Sequence, residues 1–226
     1  MHDGTPRVLG LLKIWNRIGK ETGADAISLR ILEFDPGTSP ELRNEASDEV
    51  LYVLEGNCTV VIDGNAYEVG PETGIYVRPG QTLRVENPGP DMVTFVSSQA
   101  PGTTANAREQ VPPIVKLSDR RALPTADRWY RVLVDDEIGS EQVTQFVGSI
   151  PPGRAPDHFH EYEEVLFILR GEGRMWADEA NTPIGPGSCI YLPRRQVHCV
   201  ENTGTGELRL LGVFYPAGSP AVRYET

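Results

Sequence analysis

Three of the four histidines in this 226-residue chain fall into one spaced set with a carboxylate: His158-Phe159-His160, then Glu164, then His198. Three imidazoles and one carboxylate are a sufficient ligand set for a divalent transition metal. The fourth histidine, His2, lies at the N-terminus outside any periodic segment. The plain alternative is three buried structural histidines, each of which would need its own hydrogen-bond partner.

The spacing indicates which elements bring these groups together. Residues i and i+2 of a strand face the same way, so His158 and His160 share a face. The run from Glu164 to Leu169 is β-branched and apolar, and reads as a buried strand ending at Gly171-Glu172-Gly173. Even-numbered parity puts Glu164 on the histidine face and turns the neighbouring carboxylate, Glu163, away. His198 comes from a further strand, opening after Pro193 and brought alongside by sheet pairing. Leu166 and Ile168 share the parity of Glu164 and are the apolar candidates for lining a substrate pocket.

Gly (23) and Pro (19) punctuate many short strand-like runs, which predicts an all-β protein. A formal net charge of −11 disfavours nucleic acid or an anionic membrane as partner, because both would repel it. No apolar run approaches the ~18–20 residues that span a bilayer. Lys13 interrupts the Leu-rich N-terminal stretch and no clear cleavage site follows it, so the expectation is a cytoplasmic protein. Cys58, Cys189 and Cys199 are odd in number and lack paired spacing, so they describe no disulfide framework and read as small buried side chains.

An internal repeat sets the architecture. Glu49 to Gly56 (EVLYVLEG) matches Glu164 to Gly171 (EVLFILRG), an offset of 115 residues (164 − 49). Ile75-Tyr76 and Ile190-Tyr191 keep that offset, as do Val85 to Asn87 and Val200 to Asn202. A repeat this long is a domain duplication, since each copy can bury its own core. The expected units are residues 1–103 and 112–226, joined by a small, polar, proline-bearing linker. The same offset aligns Trp15 with Tyr130, which favours a strand near the N-terminus.

The repeats resemble the cupin superfamily, and the chain resembles a bicupin. The first cupin motif has its counterparts in Gly153, His158, His160, Glu164 and Gly171. The second has them in Gly187, Pro193, His198 and Asn202, with Arg195 standing where a glycine is usual. The resemblance implies two tandem double-stranded β-helix (jelly-roll) barrels, with metal on His158, His160, Glu164 and His198. In the first copy the 115 offset gives Arg43, Glu45, Glu49 and Leu83, a set unable to ligate in the ordinary way. One metal per chain is therefore expected, in the C-terminal barrel, with Arg43 paired to Glu45 or Glu49 in the other.

The ligand set suits Fe(II), the favoured ion, and equally Mn, Ni, Co or Zn. Four protein ligands leave one or two positions open for substrate or dioxygen. The leading functional expectation is a metal-dependent enzyme on a small organic molecule, most simply a dioxygenase-type oxidoreductase resembling ring- or C–C-cleaving cupins. Glu164 is then the candidate catalytic group, able to take a proton. Non-oxidative isomerisation, decarboxylation or hydrolysis is the alternative, and a non-catalytic small-molecule-binding protein the third. Met175 and Trp176 replace Val60 and Val61 of the first repeat, so the two interiors should differ. Leu166, Ile168, Arg174 and Trp176 are the candidate substrate contacts, with Gln145 and Gln196 as further polar candidates. The expected partner is a small-molecule substrate, and strand edges are compatible with a homodimer.

Overall fold

The structure is a computed structural model that describes residues 4–103, 111–125, 127–221 and 224–225. Among these, regular structure consists of strands and three single 3-10 turns, at Lys20–Thr22, Leu117–Asp119 and Asp136–Ile138. The turn signals act locally. Asp63 and Gly64 both adopt positive φ (46° and 80°) between Cys58–Ile62 and Asn65–Val69, as a two-residue hairpin loop requires. No helix among the described residues is long and apolar enough to cross a membrane.

Among the described residues all strand pairs are antiparallel and form four sheets, two per repeat, giving the two tandem jelly-roll barrels. In the second barrel one sheet runs Leu123–Thr125, Arg128–Val134, Thr144–Ile150, Leu208–Tyr215, Glu163–Arg170, Cys189–Leu192. The facing sheet carries Gly173–Ala177, His198–Asn202 and His158–Phe159. Leu166, Ile168, Met175, Val200, Leu210 and Phe214 fill the space between them. A matching core in the first barrel includes Phe34, Leu51, Val60, Leu83 and Phe95, with Phe34 and Phe95 edge to face at 5.4 Å. A third apolar cluster joins the barrels, with Trp15, Ile31, Tyr52 and Val96 on one side and Val134, Val147, Val165 and Val213 on the other. Each fully buried Val or Leu contributes about 1.5–3 kcal/mol, so this shared surface holds the barrels as one unit. Ile114–Lys116, which the sequence assigns to the second unit, pairs with Thr73–Val77 of the first.

Strand register corrects the repeat alignment at its early strands. Tyr130 stands opposite Gly148 as Ile14 stands opposite Leu32, so Tyr130 corresponds to Ile14 and not to Trp15. The second repeat is one residue shorter in the loop before Glu164. Upstream of that loop the equivalent positions therefore lie 116 apart (130 − 14).

Candidate metal centre

His158 and His198 face each other as paired residues of adjacent strands. His160 follows in the turn, and its carbonyl accepts from the Arg195 N–H at 2.8 Å. Arg195 holds φ of 64°, the left-handed conformation that Gly80 supplies with φ of 82° in the first barrel. The arginine thus preserves the turn that a glycine would make. Its side chain pairs with Glu161 at 2.8 Å.

The ligand-capable atoms of His158, His160 and His198 all lie within 4.8 Å of one another. The Nδ1 atoms of His158 and His198 sit 3.0 and 2.8 Å from the carbonyls of Pro156 and Gln196. A carbonyl can only accept, so each Nδ1 carries a proton, and in the neutral imidazole Nε2 is then left with its lone pair, the form a metal requires. Burial and the neighbouring imidazoles push the pKa of His198 down to about 3, which keeps it neutral. Glu164 reaches the group through its Oε2, 3.5 Å from His198 Nε2.

Glu164 shows that these residues fit a cation. Its Oε2 is buried with no hydrogen-bond partner among the described residues, and burial pushes its pKa up to about 8. An orphaned buried carboxylate beside three imidazoles is costly unless a positive charge joins them. The first barrel gives the internal comparison. There Glu49, the counterpart of Glu164, accepts from Arg30 (2.6 Å), Ser97 (2.6 Å) and Gln99 (2.9 Å). Arg30 and Gln99 occupy the positions held by Phe146 and Phe214 in the second barrel, as the equivalent pairings show. A carboxylate satisfied by the protein in one barrel is left open in the other.

The register also revises the first barrel's counterparts of the histidines. Leu42 pairs with Leu83 as His158 pairs with His198, and the Gly80 N–H donates to Asn44 as Arg195 does to His160. The equivalent set is Leu42, Asn44, Glu49 and Leu83, in place of one containing Arg43 and Glu45. Arg43 does pair with Glu45, at 2.6 Å and in solvent, while Glu49 pairs with Arg30.

The four site groups open into a cavity of about 100 Å3. Its walls include Phe146, Ile150, Leu166, Val200 and Phe214, and its polar rim includes Thr125 and Arg128. Leu166 thus lies where parity put it. Ile168 shares that parity but sits further along the strand, packed in the closed part of the core. Arg174 and Trp176 lie outside the cavity's lining, because in Gly173–Ala177 it is Met175 that points inward. Arg174 bonds Asn181 in solvent. The Trp176 indole N–H donates to Glu201 at 2.8 Å, and its ring lies under the Arg154 guanidinium at 4.1 Å. Gln196 bonds Asp178, and Gln145 is buried near Gly74 of the other barrel. Arg128 and Phe146 were not signalled by the sequence. Parity orders residues within a strand, but nothing in the linear pattern says that Arg128–Val134 borders the histidine pocket.

The cupin domain family profile matches residues 30–98 and 146–214. An oxalate-binding protein of Thermotoga maritima is 36% identical over 66 residues, covering 28% of this chain and 54% of the relative. Auxin-binding protein 1 of Arabidopsis thaliana is 31% identical over 83 residues, covering 32% and 42%. The matched stretches thus span about half the length of these curated relatives. Among solved structures, an oxalate decarboxylase of Bacillus subtilis superposes with a TM-score of 0.78 at 15% identity, over 99% of this chain and 77% of that one. A protein of Pseudomonas aeruginosa described as glyoxylate-induced gives 0.79 at 17% identity, over 96% and 87%.

Proposed function

Because this chain belongs to the cupin family, with two cupin domains in tandem, we propose that its second barrel is a metal-dependent enzyme site for a small organic acid. One divalent transition metal per chain would be held by His158, His160, Glu164 and His198. The observation that carries this reading is the unpartnered, buried Glu164 oxygen beside three clustered imidazoles. When bound, the metal supplies Lewis-acid polarisation of a substrate oxygen.

The chain's own residues define the rest of the chemistry. Arg128 is the cation among the described lining residues, and its guanidinium meets a substrate carboxylate. Phe146, Leu166 and Phe214 exclude water, which strengthens the charge interactions inside. Glu164 is the carboxylate of the lining and the candidate catalytic group, able to accept or return a proton at Oε2.

A cavity of about 100 Å3 has room for a compact acid. Non-oxidative chemistry of the decarboxylase type is the reading supported best, since the relatives include an oxalate decarboxylase and an oxalate-binding protein. Mn(II), named for the Bacillus subtilis decarboxylase, is the metal that accompanies it. The open three-histidine, one-glutamate set favours a second reading, a dioxygenase-type oxidoreductase using Fe(II). Either would operate as a cytoplasmic enzyme, alone or as a homodimer.

The test loads purified protein with Mn(II) or Fe(II) and offers a panel of short mono- and dicarboxylic acids, following CO2 release and O2 uptake. CO2 release under anaerobiosis supports the first reading, and stoichiometric O2 uptake supports the second. Binding without turnover on either metal would reduce the site to a receptor for such acids.

A further inference from the structure

We infer that Tyr162 is a positioning residue: it ties the ligand His160 to the C-terminal segment that covers the pocket. The inference rests on the reading of His160 as a metal ligand.

Tyr162 stands between the two ligand-bearing elements, two residues after His160 and two before Glu164. Its ring stacks on the His160 imidazole, with centroids 5.0 Å apart and planes 13° apart. Its other neighbour is Phe214, a wall of the pocket, at 4.4 Å. From that fixed ring the hydroxyl donates to the carbonyl of Ser219 at 2.8 Å.

The segment it holds lies over the site. Pro220 is part of the cavity lining, and the Gly218 N–H donates to Thr144 Oγ1 at 3.2 Å. A Cβ at Gly218 would overlap the Tyr162 ring, so the glycine lets the backbone lie directly on the aromatic face. Beyond it, Tyr224–Glu225 pairs its backbone with His158–Phe159, the strand of another ligand. The chain after the last long strand therefore contacts the site through Tyr162, the lining and the His158 strand.

The first barrel lacks this arrangement where it lacks the ligands. The residues before Glu49 corresponding to Tyr162 are Ala46 and Ser47, neither of them aromatic. After its own last long strand, Ile114–Lys116 pairs instead with Thr73–Val77. The aromatic tie accompanies the histidines.

In this arrangement the orientation of His160 and the closure of the cover are coupled. Opening the segment frees the tyrosine hydroxyl, and displacing the ring removes the support of both imidazole and cover. Tyr162→Phe separates the two parts, because it keeps the stack and deletes the bond to Ser219. Gly218→Ala pushes the cover off an intact tyrosine.

The experiment compares wild type, Tyr162→Phe and Gly218→Ala, all loaded with Mn(II), by the rate of metal release to excess EDTA. A net hydrogen bond of ordinary strength predicts release about two- to tenfold faster in Tyr162→Phe, and at least as fast in Gly218→Ala. Metal stoichiometry and unfolding temperature should stay close to wild type, which a general loss of structure would not allow. Amide hydrogen exchange at positions 218 and 219 should accelerate in both variants, whether or not metal is present. Unchanged release and unchanged exchange in both variants would overturn the tie. A wild type that binds no Mn(II) would overturn the metal site, and the exchange comparison would still decide whether Tyr162 holds the cover.

Discussion

Glu163 and Glu164 are consecutive residues of one strand, both buried (1% and 5% exposed), and they serve opposite faces of the sheet. Glu164 looks into the second barrel toward His198. Glu163 looks out of it, and its Oε2 accepts from the Ala26 and Ile27 N–H groups of the first barrel at 3.2 and 3.3 Å, with Tyr191 at 3.4 Å. One carboxylate belongs to the proposed metal site and its neighbour to the joint between barrels.

Substitution should separate these roles. Glu163→Ala leaves one buried and one half-buried backbone donor unpaired, and should cost about 2–4 kcal/mol of stability with metal content unchanged. Glu164→Gln should weaken metal binding at least about tenfold while leaving the unfolding temperature of the metal-free protein equal or higher. Denaturant melts and metal titrations on both variants read the contrast. A Glu163→Ala protein that lost metal but not stability would invert the assignment.

Metal removal should lower stability through the second barrel. A bound ion at a free concentration one hundred times its Kd adds about 2.7 kcal/mol. Chelation should remove that increment, Mn(II) should restore it, and His160→Ala should show neither response. The measurement is calorimetric unfolding with and without EDTA.

Arg128 should set substrate affinity without touching the metal. A charge-assisted bond of about 1.5–3 kcal/mol predicts that Arg128→Gln raises the Kd or KM for a small carboxylate by roughly ten- to a hundredfold. Arg128→Lys should recover part of this, since the charge returns without the two-pronged geometry. Metal content in both should equal that of wild type. Unaltered carboxylate affinity in Arg128→Gln would remove the acid from the proposed substrate class.

Acid should selectively weaken the cluster around Glu207. Burial alone would raise this carboxyl, but the Ser149 hydroxyl and Arg170, with Arg209 nearby, outweigh it and hold the pKa below the usual glutamate range. A lowered pKa gives stability that is present above the ordinary glutamate value and is lost as pH falls through the folded one. Glu207→Gln should therefore be less stable than wild type at pH 7, by about 1 kcal/mol. The gap should close as pH drops below about 4. Urea melts across that range provide the check.

The histidine and glutamate cluster was legible from residue type and close spacing. Strand parity does not carry Glu164 to the histidines, because a turn intervenes after His160 and the first barrel holds Asn44 and Glu49 in the equivalent places at an odd separation. Arg174 was chosen for its polarity and Trp176 by comparison of the repeats, and neither criterion says which residues of a strand face inward. Met175 takes the interior there, while Arg174 goes to solvent and Trp176 lies half-buried under Arg154. Parity also has no depth, so Leu166 lines the cavity while Ile168, two residues on, is packed beneath it.

By itself the sequence determined the all-β class, the duplication, the three histidines with Glu164, and the absence of an equivalent set in the first copy. Each is a matter of residue type and short-range spacing, which the backbone enforces locally. Only the tertiary structure decided the rest. It set the one-residue shift that makes Leu42 and Asn44 the true counterparts of the histidines, and it brought Arg128 to the pocket and Tyr162 to Ser219. These depend on strand pairing and loop length across long separations, where one residue gained or lost turns a side chain to the opposite face.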